Sequence, residues 1–238
     1  MRHFNALLGA LVLVVIFTFS SSAFAQGIYA KTLVDQLEYA FNDNNNPVNW
    51  NLTSWVGGDW NRLWLKSDGE ISTQEKEIEG EVQVLYSRLI SPFWELQFGL
   101  RGDLEIGENV DGRGFLVLGL EGLAPYRFEV EPAIFVSQKG DLSARFEFSY
   151  DFMITQRLIA MPSFETNLAL QSVPEFGVGA GLNDIELEMR LRYEFSRKFA
   201  PYIGVSWKRS FFETQDLREV AGLSAGDLQG LAGLRFWF

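Results

Sequence analysis

Apolar and polar residues alternate along most of this chain with a period of two. From 93 to 105, Trp94, Leu96, Phe98, Leu100 and Leu104 fall on one face, and Glu95, Gln97, Arg101, Asp103 and Glu105 on the other. From 142 to 153, Ala144, Phe146, Phe148, Tyr150 and Phe152 oppose Arg145, Glu147, Ser149 and Asp151. From 185 to 195, Ile185, Leu187, Met189, Leu191, Tyr193 and Phe195 oppose Glu186, Glu188, Arg190, Arg192 and Glu194. A period of two held this long predicts extended strands with one greasy and one wet face. Working back from the C-terminus, the pattern predicts strands at 227–238, 202–212, 183–195, 158–170, 142–153, 126–137, 113–123, 93–105, 77–90 and 60–72. Two weaker ones precede them at 48–56 and 33–41, where Leu37, Tyr39 and Phe41 alternate with Gln36, Glu38 and Ala40.

The expected fold is all-β: a transmembrane antiparallel β-barrel of about 12 strands, with both termini periplasmic. An even strand number returns the two ends to one side. The links agree, being short at Ser91-Pro92, Ala124-Pro125, 154–158 and 196–201, on the predicted periplasmic side. Longer polar links at 171–182 and 213–226 fall on the outside, and the link around Lys139-Gly140-Asp141 is a short exception. Pro132 and Pro162 lie inside strands on the predicted lipid face. Proline has no N–H for a ladder, so each predicts a bulge or a locally unpaired position. A soluble sandwich would explain the alternation, but not the two ends of the chain.

The N-terminus reads as a secretory signal. Arg2 is followed by an apolar run over residues 6–19, then by Ser20, Ser21 and Ser22, and Ala23-Phe24-Ala25 supplies a small-x-small cleavage pattern. An apolar run of this length covers roughly 21 Å as a helix, short of a hydrocarbon core of about 30 Å. The expected organisation is a signal peptide at 1–25 and one barrel domain at 26–238. At the other end, Leu228, Gly230, Ala232, Leu234, Phe236 and Phe238 share one face. A last strand of this kind, with Phe236 and Phe238 at its tip, resembles the signal read by the barrel assembly machinery of bacterial outer membranes. Membrane lipid and that machinery are therefore expected partners.

Composition narrows the chemistry. Hydrophobic residues make up 47% and aromatics 15%, spread over half-apolar strands as a membrane barrel requires. Acidic residues outnumber basic ones 31 to 20, and loss of Arg2 deepens the imbalance, which argues against a nucleic-acid partner. The chain has no cysteine and its single histidine, His3, lies in the signal segment. Ser-His, Cys-His and His-based metal chemistry are thus missing beyond residue 25, and no catalytic residue is assigned.

The inward faces mix signs. Arg101, Arg127, Arg145, Arg190 and Arg192 are interleaved with Glu81, Glu95, Glu129, Glu131, Glu147, Glu165 and Glu194, and Asp59 joins them as a polar candidate of the lumen. In a narrow barrel such charges cross-brace the interior and mimic a functional site. The functional reading is a polar path or a cation site. Met153 and Met161 fall on the inward parity of adjacent strands, a diagonal pair about 7–8 Å apart. Their thioethers could make a weak Cu(I) contact, with Asp151 or Glu165 nearby, or simply fill gaps.

A set of sequence blocks is spaced in order along the chain. They are Trp55-Val56-Gly57-Gly58-Asp59, Asn61-Arg62-Leu63-Trp64-Leu65-Lys66, Asp68-Gly69-Glu70, Leu85-Tyr86-Ser87-Arg88 and Ser91-Pro92-Phe93-Trp94. GLEGLAPY (119–126), Thr155-Gln156-Arg157-Leu158, RLRYE (190–194), Phe199-Ala200-Pro201-Tyr202 and Gly233-Leu234-Arg235 continue the set to the end, and together the blocks resemble the copper resistance protein B family of outer-membrane proteins. The resemblance implies an outer-membrane barrel that binds or exports excess copper, with a periplasmic copper-binding protein as a candidate partner. Many members carry a Met- and His-rich segment before the barrel; here residues 26–31 alone separate the cleavage site from the first strand. The alternatives are a small general channel or structural barrel without metal function, and a membrane enzyme, which the lack of histidine disfavours.

Overall fold

In the computed structural model, residues 27–42, 46–72, 77–107 and 110–238 are described; the signal segment lies outside them. Twelve strands run up and down among the described residues. They are β1 (Tyr29–Phe41), β2 (Val48–Gly57), β3 (Asn61–Ile71), β4 (Ile78–Ser91), β5 (Trp94–Ile106) and β6 (Val110–Ala124). After a short 3-10 turn (Pro125–Arg127) come β7 (Phe128–Ser137), β8 (Leu142–Ser149, resumed at Phe152–Met153), β9 (Leu158–Ala169) and β10 (Gly181–Tyr193). β11 (Phe199–Ser210), helix α1 (Phe212–Val220) and β12 (Gly226–Trp237) complete the chain.

Each strand pairs antiparallel with its neighbours in sequence, and β12 pairs with β1 through Leu33↔Trp237 and Ala40↔Leu231, so the sheet closes on itself. Closure removes every edge, the condition for a sheet in lipid. Both ends of the described chain lie at one rim, with the short turns 58–60, 92–93 and 196–198. The longer links 170–180 and 211–225 lie at the other rim. Bacterial barrels keep short turns in the periplasm and long loops outside.

The pleat sorts the side chains as the alternation predicts. Leu100 is 62% exposed and Ile203 64%, while Leu85 is 1% and Arg190 1%. The inside is not all polar: Trp64, Leu85, Phe115, Val117 and Phe135 form an apolar cluster on the inner wall of β3 to β7. Exposed aromatics mark the turn rim hairpin by hairpin at Trp60, Phe93, Tyr126, Phe152 and Phe195, as an interfacial girdle does.

The prolines interrupt ladders without shifting them. Pairing between β6 and β7 lapses from Gly119↔Ala133 to Gly122↔Val130, around Pro132, and resumes in register. Pairing between β8 and β9 lapses from Ser149↔Ser163 to Phe152↔Ala160, around Pro162, although Tyr150 N–H still donates to the Pro162 carbonyl at 3.2 Å. The register shifts sit elsewhere, at Asp35 in β1, Ile90 in β4 and Asn183 in β10. Two further corrections concern the turns. The strand expected from 126 begins at Phe128, because Tyr126 (φ 68°) and Arg127 (φ 69°) take left-handed conformations in the turn after Pro125. Arg127 is therefore an exposed turn residue and not part of the inner wall. Asp59 likewise lies in the exposed turn between β2 and β3, at the rim rather than along the lumen. The expected polar link 213–226 holds α1.

Candidate functional site

The inner wall is organised around three arginine or lysine centres, each reached by carboxylates from several strands. In the first, Glu81 on β4 receives a two-pronged bond from Arg145 on β8, at 2.9 and 3.3 Å. Arg101 on β5 reaches the same carboxylate at 2.7 Å and also holds Asp103 at 2.6 and 2.9 Å. Arg145 extends the cluster to Asn167 at 3.1 Å, Glu165 at 3.5 Å and Glu147 at 3.8 Å. The Arg101 guanidinium lies over the rings of Phe135 (4.6 Å) and Phe115 (5.1 Å), so the apolar cluster and the charges pack as one body.

Lys66 on β3 is the second centre, donating to Glu121 on β6 at 2.9 Å and Glu131 on β7 at 2.7 Å. Gln97 donates to Glu121 as well, at 2.6 Å. The third centre is Arg190 on β10, whose side chain is 2% exposed. It forks onto Glu38 of β1 through Nε and Nη2, both at 3.1 Å, and its Nη2 donates to Glu188 at 2.8 Å. Tyr202 donates its hydroxyl to Glu38 at 2.9 Å and Asn49 its amide at 3.4 Å.

These links join strands that are not neighbours: β4 to β8, β3 to β7, β1 to β10. They cross the lumen. Buried charges are tolerable only when paired and hydrogen-bonded in this way, and the arrangement braces the barrel across its bore.

Nearer the turn rim, Arg192 pairs with Asp151 at 2.8 Å and with Glu194 at 3.7 Å. Arg62 pairs with Glu95, and Arg235 with Asp35. Glu129 faces inward beside them, accepting from Ser149 at 3.4 Å. At the loop rim the balance changes. Glu70↔Glu79, Glu79↔Glu105 and Glu105↔Asp111 are direct cross-strand partners. Four carboxylates at one level repel one another and make that mouth attractive to cations.

The alternation thus places Arg101, Glu129, Arg145, Glu165, Arg190, Arg192 and Glu194 on the inner wall, and the structure brings Arg101, Arg145 and Glu165 into one cluster. Sequence reading did not single out Lys66, the second centre, or Glu38 and Glu188, the partners of Arg190 in the third. Their inward parity was visible; their partners were not, since those sit several strands away.

No group of three or more His, Cys, Asp or Glu arranged to hold a metal ion occurs among the described residues. Met161 and Met153 do share the inner parity, Met153 opposite Ile159 and Met161 opposite Arg190. The Met161 sulfur, however, accepts from Arg192 Nη1 at 3.8 Å, and Met153 is 64% exposed at the rim. A guanidinium against the sulfur engages one of its two lone pairs and sets a like charge where Cu(I) would sit. These residues do not fit a resident copper ion.

Residues 28–238 match the family described as copper resistance protein B precursor (CopB). The copper resistance protein B of Escherichia coli is 43% identical over 206 residues, covering 87% of this chain and 68% of that protein. The homolog in Pseudomonas syringae pv. tomato is 36% identical over 206 residues, covering 87% and 69%. Among solved structures, the KdgM porin is similar in fold, with a TM-score of 0.55 at 11% identity, covering 88% of this chain and 99% of that one. A closed twelve-stranded barrel that carries the family's sequence from its first strand to its last belongs to the copper resistance protein B family.

Proposed function

We propose that this protein serves copper resistance as an outer-membrane barrel, delivered by a cleaved signal at 1–25, that handles copper as passing cargo and holds no ion in its wall. The family match over the whole barrel carries the reading. The donor set supports the second half: among the described residues the inner wall carries no soft ligand besides Met153 and Met161, and the Met161 sulfur is engaged by Arg192. The acidic level at Glu70, Glu79, Glu105 and Asp111 concentrates cations at the loop rim without selecting among them. Selectivity for copper then resides in a periplasmic copper-binding partner that meets the turn rim. No catalytic residue is needed for this role.

The test is growth of a deletion strain, with and without the gene restored, across graded copper, silver, zinc and salt. Sensitivity to copper and silver alone, reversed by the gene, is expected. Equal sensitivity to every stress would instead assign the protein to a general or structural barrel, the reading in which the braced lumen has no metal task.

A further inference from the structure

The lipid-facing rows of the barrel are nearly free of charge. Reading outward parity along all twelve strands, two charged side chains occur among the described strand residues, Arg88 on β4 and Arg209 on β11. A charge on this surface costs about 2–4 kcal/mol at mid-bilayer and little at the interface, so each must sit at headgroup depth. Arg88 is near the turn rim. Arg209 is at the loop rim, one residue before the end of its strand and opposite Gly226.

Arg209 also borders a groove. The cleft of about 320 Å³ runs along the loop end of β11 and β12, lined by Trp207, Arg209, Ser224, Gly226, Leu228 and Asp227, whose carboxylate is on the inward row and accepts from Asn42 and Gln229, both at 2.8 Å. Trp207 and Leu228 are cross-strand partners on the outward row, Leu228 being 67% exposed, so the floor of the groove is apolar. A second guanidinium stands behind it: Arg218 of α1 donates from Nε to the Ser224 carbonyl at 3.1 Å. The groove thus combines a greasy floor open to the acyl layer with one cation in its lining, Arg209.

We infer that this groove binds the phosphorylated head of an outer-leaflet glycolipid, a lipid A-type acyl sugar. Trp207 and Leu228 lie against an acyl chain while Arg209 pairs with a sugar phosphate. The side of the membrane selects the occupant. The loop rim faces the leaflet built from phosphorylated glycolipid, an orientation that rests on the outer-membrane reading above. Arginine suits the task because its fork matches phosphate oxygens.

Native mass spectrometry of the full barrel in detergent tests this with four probes: diphosphoryl lipid A, its dephosphorylated form, phosphatidylglycerol and inorganic phosphate. Wild-type protein is expected to bind diphosphoryl lipid A about tenfold more tightly than the dephosphorylated form, the loss of one charge-assisted pair. Arg209→Gln should lose about the same factor, and Arg88→Gln, the same change at the opposite rim, should lose none. Four results would each overturn the proposal: no preference for the phosphorylated form, unchanged binding by Arg209→Gln, an equal loss in Arg88→Gln, or phosphatidylglycerol or free phosphate binding as well as lipid A. Should Arg209→Gln fail to fold, the ranking of the four probes by wild-type protein decides. Membrane fractionation of the same strain reports location independently, so a failure of the glycolipid site is separable from a failure of the outer-membrane assignment.

Discussion

At the residue scale, the inner wall depends on a few side chains whose charges have no other outlet. Arg190 is the clearest case, since Glu38 takes both prongs of its guanidinium and is itself 1% exposed at the side chain. Arg190→Ala would leave Glu38 and Glu188 facing each other without their shared cation. A cost of about 3–5 kcal/mol is expected, the range for breaking one partner of a buried pair. Urea unfolding followed by the heat-modifiable gel shift of the barrel would measure it. The same change at Lys139, whose pairing with Glu175 is more than half exposed on both sides, should be nearly silent. Residue identity alone would not have ranked these two sites; burial does.

At the element scale, the long links are more structured than their polar composition suggests. α1 is tied to the 170–180 link by two adjacent residues. Glu213 accepts from Ala180 N–H at 2.8 Å and from the Ser172 hydroxyl at 2.7 Å, while Thr214 accepts from Gly179 N–H at 3.0 Å and Asn183 at 2.8 Å. The Ala180 N–H and the Ser172 hydroxyl hold the Glu213 carboxyl below its ordinary pKa. A carboxylate stabilised in this way contributes fully above its ordinary pKa and loses the contribution as pH falls through the lowered value. Exchange at the Ala180 amide, corrected for its intrinsic pH dependence, should therefore stay slow down to the usual carboxylate range and quicken only below it. Glu213→Gln should quicken it at neutral pH. The strands themselves were legible from alternation, nearly to their bounds, because lipid on one side and a largely wet interior on the other enforce a period of two along most of each strand. What escaped was local. Arg127 reads as the first inward residue of a strand, yet the turn after Pro125 uses it at positive φ. The Asp35 bulge reverses parity within β1, so residues on either side of it cannot share one face rule.

For the whole molecule, the bore is set by which charges meet across it, and that was not legible in the sequence. Glu81 and Arg145 are 64 residues apart and on strands that never pair, and only the curvature of the closed sheet brings them to 2.9 Å. The sequence told which residues face inward; the circumference decided which of them touch. If these contacts occlude the lumen, removing them should open it. Planar-bilayer conductance is expected to rise several-fold in an Arg101→Ala/Arg145→Ala variant relative to wild type, with cation preference growing as Glu81 and Asp103 lose their counter-charges. Unchanged conductance would place the constriction elsewhere.

The pairing of Leu33 with Trp237 has a kinetic meaning as well. It joins the first strand to the last, so the ring cannot shut until nearly the whole polypeptide has been delivered. Eleven hairpin contacts can form locally as the chain arrives, but the twelfth is a closure over some two hundred residues, and such distant contacts are the slow ones. Until then β1 and β12 are open edges with unpaired backbone, liable to join a strange strand. Assembly of the ring therefore depends on keeping those two edges from other strands until they meet.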